Sequence, residues 1–144
     1  MKFSRLMIIF ISFALVSCKS FYKEPQEIEY DCILAKTQFF ADIKNIIVDE
    51  KFEIAKSDEF HGYMVAEKKI KTDKNEDVLL TLSLKYDETN KKYFVTPSSI
   101  KFPRDQNEIE YYTKKCMRKE YKTYFKSVLT RMESFCKGGY FPNK

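Results

Sequence analysis

The chain has 144 residues, the size of one ordinary domain, with 26 basic and 21 acidic side chains and a formal net charge of +5. Basic and acidic residues are interleaved rather than gathered into a stripe, which argues against a nucleic-acid-binding protein. One histidine and no Cys-x-x-Cys spacing do not provide the usual ligands of a zinc site, and three glycines are too few for a glycine-rich phosphate loop. Neither a cofactor nor an enzymatic activity is therefore expected.

The first residues have the organisation of an export signal. Two positive charges, Lys2 and Arg5, precede an apolar run over residues 6–16. This run of eleven residues is shorter than the about 20 that a helix needs to cross a bilayer, and it matches the apolar region of a signal peptide. Residues 1–17 are therefore interpreted as a signal peptide, and their removal lowers the net charge to about +3.

The run ends in Leu15-Val16-Ser17-Cys18, which resembles the lipobox of bacterial lipoprotein precursors. The resemblance implies that the Cys18 thiol receives a diacylglycerol, that the peptide bond before it is cut, and that the new amino terminus is usually acylated. Two or three acyl chains would hold the protein firmly on a membrane. An ordinary signal peptide with a chance cysteine and an uncleaved anchor are the alternatives. Lys19 stands where an Asp would resemble an inner-membrane retention signal, so the outer membrane is favoured.

The exported chain is expected to form a short tether over residues 18–26 and a single domain over residues 27–141. With Cys18 carrying lipid, three cysteines remain, Cys32, Cys116 and Cys136, in an oxidising compartment where a disulfide can persist. Because three is an odd number, at least one thiol is left over or pairs between chains.

The first element of the domain is predicted to be a helix of about 23 residues, because apolar side chains recur at steps of three and four. These are Ile28, Cys32, Ala35, Phe39, Ile43 and Ile46. Four strands are predicted next, over residues 52–56, 61–70, 78–86 and 93–96. The third alternates most clearly, with a polar face that carries Thr81, Ser83 and Lys85. Pro97 is expected to interrupt the last strand.

A long helix is predicted to end the domain. Residues 105–108, Asp-Gln-Asn-Glu, resemble a helix N-cap, and Gly138 and Gly139 supply a stop. The order α-β-β-β-β-α predicts an α+β fold in which both helices pack on one face of a four-stranded antiparallel meander. The polar face of the sheet would then be open to solvent or to a partner.

This topology predicts a disulfide between Cys32 and Cys136. Four antiparallel strands make the two helices antiparallel, so the start of the first lies beside the end of the second. Cys116 lies twenty residues before Cys136, roughly 30 Å along a helix. Because α-carbons more than about 7 Å apart cannot be bridged, Cys116 is predicted to be a free, buried thiol.

Few residues are candidates for a site. His61 could form a weak ion site with Asp58 and Glu59, but a solvent-exposed turn residue is the favoured interpretation. Tyrosines crowd the last helix and tail at Tyr111, Tyr112, Tyr121, Tyr124 and Tyr140. Most of them are expected in the core, whereas Tyr111 lies off the helical stripe and could belong to a binding surface.

Two classes of function fit these features. The first is a non-catalytic binding or envelope-assembly module, attached to the membrane by its lipid anchor, with a protein partner in the cell envelope. The second is an inhibitor or immunity-type lipoprotein that neutralises an enzyme reaching the envelope. The charged residues 71–77 are the one candidate for an inhibitory loop.

Overall fold

The computed structural model describes residues 21–102 and 109–136. The signal peptide and Cys18 therefore lie outside the described residues. In the described part, the chain forms β1 (Ile28–Asp31), α1 (Lys36–Asp49), β2 (Glu53–Asp58), β3 (Tyr63–Lys71), β4 (Asp77–Asp87), β5 (Lys92–Phe102), β6 (Glu110–Tyr111) and α2 (Lys119–Phe135).

These strands form one antiparallel sheet in the order β1-β5-β4-β3-β2, and β6 also pairs with β5. Because β1 pairs with residues 92–95 and β6 with Ser98 and Ser99, the two short strands share one edge of β5. The molecule is thus an α+β fold of an antiparallel sheet with two helices. The prediction of four strands is wrong, since β1 and β6 extend the sheet to six.

The first helix is shorter than predicted because its first apolar residues belong to a strand. Ile28 and Tyr30 are buried, and the residues that follow each of them are exposed, so β1 has the two-residue period of a sheet edge. A spacing of four residues, as between Ile28 and Cys32, fits two strand repeats as well as one helical turn. The helix begins only at Lys36.

Pro97 does not interrupt the last long strand, which continues to Phe102. Pro97 pairs with Leu82 on β4, and its carbonyl accepts a hydrogen bond of 3.0 Å from the Tyr112 N–H at the opposite edge. In an antiparallel ladder the N–H and C=O of one residue point to the same neighbour. The N–H that Pro97 lacks would point to the same side as its carbonyl, away from β4. No hydrogen bond between β4 and β5 is therefore lost, and the strand tolerates the proline.

The last helix begins at Lys119, later than predicted. Tyr112 and Cys116 are buried, as the predicted apolar stripe required, but both lie in the segment between β6 and α2 rather than on a helix. The proposed cap at residues 105–108 and the glycine stop at Gly138 lie outside the described residues.

Both helices pack on one face of the sheet around the ring of Phe39. This ring stacks on Tyr86 of β4, with 4.6 Å between centroids, and lies 5.1 Å from Tyr93 of β5 and 5.7 Å from Phe135 of α2. Burial raises the pKa of Tyr93, so its hydroxyl stays protonated and donates to the Met132 carbonyl at 2.5 Å. One aromatic cluster thus joins α1, α2 and the two central strands.

Candidate functional site

The sheet face that points away from both helices carries short hydroxyl side chains at its centre. Every second residue of β4 and β5 points to this face, and the cross-strand neighbours there are Thr81 with Ser98 and Ser83 with Thr96. Within the described residues, both helices pack on the other face, where the buried core lies. We call this surface the open face and these four residues its hydroxyl centre, in which Ser98 is buried and the other three are half-buried.

Larger side chains lie at both ends of the hydroxyl centre. Cross-strand neighbours at one end are Tyr63, Lys85 and Phe94, and the other end carries Leu79, Ile100 and Phe102. The open face thus has small side chains at its centre and larger ones at its two ends. Because hydroxyls both donate and accept hydrogen bonds while the rims offer apolar contact, the arrangement is suited to recognition.

The position of Thr81, Ser83 and Lys85 agrees with the alternation read from the sequence. Thr81 and Ser83 are half-buried by their strand neighbours and Lys85 is exposed, and no described helix lies over them. The rim residue Ile100 was missed because the last strand was predicted to stop before Pro97, whereas Phe94 lay within the predicted strand but was not assigned to a face.

His61 lies in the exposed turn between β2 and β3. Its Nδ1 lies 2.8 Å from Asp58 Oδ2, and its backbone N–H donates to the other carboxylate oxygen at 3.1 Å. These hydrogen bonds from His61 hold the pKa of Asp58 below its usual value. Glu59 pairs instead with Lys44, so the three residues proposed as a weak ion site do not converge.

Within residues 21–102 and 109–136, no three His, Cys, Asp or Glu side chains are grouped closely enough to hold a metal ion.

The tyrosines of the last segment divide between core and surface. Tyr112 and Tyr121 are fully buried and Tyr124 is half-buried, as expected for core positions. Tyr111 is half-buried on β6 and pairs with Ser98, so it extends the open face at the sheet edge. Tyr140 lies outside the described residues.

The charged residues 71–77 form a tight turn between β3 and β4, closed by a hydrogen bond of 3.0 Å from the Thr72 N–H to the Glu76 carbonyl. Glu76 pairs with Lys101 at 3.1 Å, and the two strand ends are joined by a Lys71–Asp77 ion pair. Three of the five charged side chains of this turn, Lys71, Glu76 and Asp77, are thus paired within the chain.

Cys32 and Cys136, the predicted pair, are bonded in the structure, with Sγ atoms 2.01 Å apart and α-carbons 4.6 Å apart. Cys32 follows β1 rather than lying in a helix, and its N–H donates to the Lys91 carbonyl at 2.8 Å. The prediction of a free thiol at Cys116 is wrong, because this buried cysteine is also disulfide-bonded in the structure.

The chain already packs against the domain at Phe21, within the segment 18–26 that was predicted to be a tether. The Phe21 ring lies 5.4 Å from the Tyr112 ring, and the Arg118 guanidinium carbon lies 4.6 Å from the Phe21 centroid. Arg118 donates two hydrogen bonds of 2.5 Å to Glu110, which also accepts one of 3.0 Å from the Tyr112 hydroxyl. We call Phe21, Glu110, Tyr112 and Arg118 the junction cluster. The adjacent aromatic residues Phe21 and Tyr22 in the predicted tether were the sequence signal for it.

No protein-family model, curated protein or solved structure matches this chain. Its function must therefore be inferred from its own residues. In the described part of the chain, no helix is long and apolar enough to cross a membrane.

Replacing Glu110 with glutamine is expected to destabilise the domain by roughly 1.5–3 kcal/mol near neutral pH, because Arg118 then loses its charged partner. The Arg118 hydrogen bonds hold the pKa of Glu110 below its usual value. A carboxyl with a lower pKa in the folded state stabilises the fold above its unfolded pKa of about 4.3, and this stabilisation is lost as the pH falls through the folded pKa.

The difference in unfolding free energy between the wild type and Glu110→Gln should therefore shrink in acid. Urea unfolding at about pH 7 and about pH 3 measures it. Glu120→Gln, an exposed carboxyl on the same stretch, is the control and should change stability little. A Glu110→Gln difference that is the same at both pH values would contradict the prediction.

Proposed function

We propose that the protein is a bacterial lipoprotein, anchored through Cys18, whose open face binds a protein partner in the cell envelope without catalysis. The lipobox resemblance of residues 15–18 supports the anchor, and Lys19 favours the outer membrane. Two or three acyl chains would keep the domain at the membrane, since each buried CH₂ contributes about 0.8 kcal/mol.

The observation that carries the binding role is the composition of the open face. A sheet face that only meets water is expected to alternate to polar residues, as β4 does at Thr81 and Ser83. On β5 the outward positions instead include Phe94, Ile100 and Phe102. Aromatic side chains are enriched at protein–protein interfaces, so their presence on the outward face of β5 favours a binding surface. The alternative of an inhibitory loop is less favoured, because three of the five charged side chains of residues 71–77 form ion pairs within the chain.

A photo-cross-linking amino acid at Phe94, in the intact envelope, tests this proposal. Cross-linking to one envelope protein is expected from Phe94 and not from Asn45, an exposed position on α1. The double variant Ser83→Arg/Thr96→Arg should reduce the yield at least about tenfold, because it places charge and bulk in the hydroxyl centre.

The matched control is Gln38→Arg/Asn45→Arg, which adds the same two arginines to the exposed side of α1. Both double variants should keep their thermal midpoint, since the substituted side chains are outside the core. Equal cross-linking from both positions, or a yield that the open-face arginines leave unchanged, would rule out the open face as the binding surface.

A further inference from the structure

The junction cluster fixes where the anchor meets the domain. Cys18 and Phe21 are three residues apart, so their α-carbons are separated by at most about 11 Å whatever the conformation between them. Because Arg118 contacts the Phe21 ring and is the N-cap residue of α2, a lipid attached three residues before Phe21 would join the domain near the start of that helix. A lipid on Cys18 therefore holds the beginning of α2 close to the bilayer.

The outer face of α2 carries a stripe of lysines. Lys119, Lys122 and Lys126 are exposed, and their spacing of three and four residues places them on one side of the helix. None of the three has an ion-pair partner among the described residues, whereas Lys101 and Lys114 each pair with a glutamate. The stripe thus presents uncompensated positive charge on the helix that the anchor holds near the membrane.

A groove of about 280 Å³ runs along the same side of α2. Met117 and Leu129 provide its apolar lining, and Lys122 and Lys126 lie at its margin. Glu133 also lines it, but its carboxylate accepts a hydrogen bond of 2.9 Å from Lys114. Apolar side chains bordered by cations are the combination that meets the boundary between lipid phosphates and acyl chains.

From these observations we propose that the outer face of α2 rests on anionic phospholipid headgroups. It follows that the open face, on the opposite side of the sheet from both helices, is directed away from the membrane. This inference rests on the proposed anchor at Cys18. Because attraction between lysines and an anionic bilayer is electrostatic and screened within about 10 Å at moderate salt, the contact should depend on lipid charge and ionic strength.

Lysine footprinting of the lipidated chain tests the orientation. The intact mass is read first to establish the lipid, and the protein is then reconstituted into vesicles of phosphatidylcholine, alone or mixed with phosphatidylglycerol. A membrane-impermeant amine reagent is applied, and labelling rates are compared between two sets of exposed lysines. The test set is Lys119, Lys122 and Lys126, and the reference set on the open side of the sheet is Lys56, Lys69 and Lys85.

In the anionic vesicles the test set should react at least about tenfold more slowly than in phosphatidylcholine, and high salt should restore the rate. The reference set should react equally in both lipids. Equal rates for the test set, or protection of the reference set, would overturn the orientation while leaving the anchor intact. A mass without lipid would instead refute the anchor, and the orientation with it.

Charge-reversal variants supply a second readout through Lys114, which lines the same groove. Lys119→Glu/Lys122→Glu/Lys126→Glu should abolish the protection of Lys114 in anionic vesicles. The matched variant Lys56→Glu/Lys69→Glu/Lys85→Glu makes the same change of charge on the other side of the molecule and should leave that protection in place. Identical behaviour of the two variants would contradict a specific contact through α2.

Discussion

The double variant Cys32→Ala/Cys136→Ala is expected to lose about 4.7 kcal/mol of unfolding free energy, the amount that the chain-entropy relation assigns to a loop of about 100 residues. The bond joins residues separated by 104 positions, and so constrains nearly the whole described domain in the unfolded state. Since small domains have a total of about 5–15 kcal/mol, the variant should lose between roughly a third and nearly all of its stability.

The effect of the cross-link can be separated from the effect of the smaller side chains. Urea unfolding of the wild type and the variant should differ by the full amount without reductant. With reductant both proteins lack the bond, and only the packing difference of two buried side chains should remain. A difference that reductant does not change would show that the stabilisation comes from packing alone. Peptide mapping that links Cys116 to Cys32 or to Cys136 would overturn the pairing itself.

The pairing of Cys32 with Cys136 was predicted correctly from a wrong secondary-structure assignment. Cys32 was assigned to the first helix, whereas it follows β1 and precedes α1. The derivation also assumed four strands between the two helices, whereas β2 to β6 make five. The even number of chain reversals on which it relied is therefore not present, and the pairing is correct although the argument for it is not.

Local sequence pattern identified the elements whose two faces differ chemically and failed for those that depend on distant partners. β4 has apolar residues on one side and Thr81, Ser83 and Lys85 on the other, so its period was readable. β1 and β6 have only four and two residues, and they form by pairing with the edge of β5. A segment of two to four residues contains no pattern that identifies the sheet edge with which it pairs.

The same limit applies to the open face and the junction cluster. The hydroxyls on β4 were predictable, but their neighbours Thr96 and Ser98 join them only through the register of β5 across Pro97. The contact of Phe21 with Arg118 joins residues nearly a hundred positions apart. Such contacts follow from the folded sheet, not from local spacing.

Cys18→Ser is expected to abolish the incorporation of labelled fatty acid and to leave the precursor at full length. The lipobox resemblance assigns the sulfur nucleophile to Cys18, and a hydroxyl in its place is a far weaker nucleophile than a thiolate. Metabolic labelling followed by gel analysis measures both effects. Cys116→Ser changes another cysteine outside the Cys32–Cys136 bond, and it should retain the label.

For the Cys18 thiol, the chemical alternative to lipidation is a disulfide bond, and the same protein samples test it. The chain has four cysteines, and Cys116 is the one besides Cys18 that lies outside the Cys32–Cys136 pair. A sulfur in a thioether to diacylglycerol cannot also form a disulfide, so the proposed anchor excludes a bond between Cys18 and Cys116. Non-reducing peptide mapping of the mature protein should recover Cys18 with its lipid. Recovery of a Cys18–Cys116 peptide, or unchanged labelling of Cys18→Ser, would overturn the anchor and with it the membrane orientation of α2.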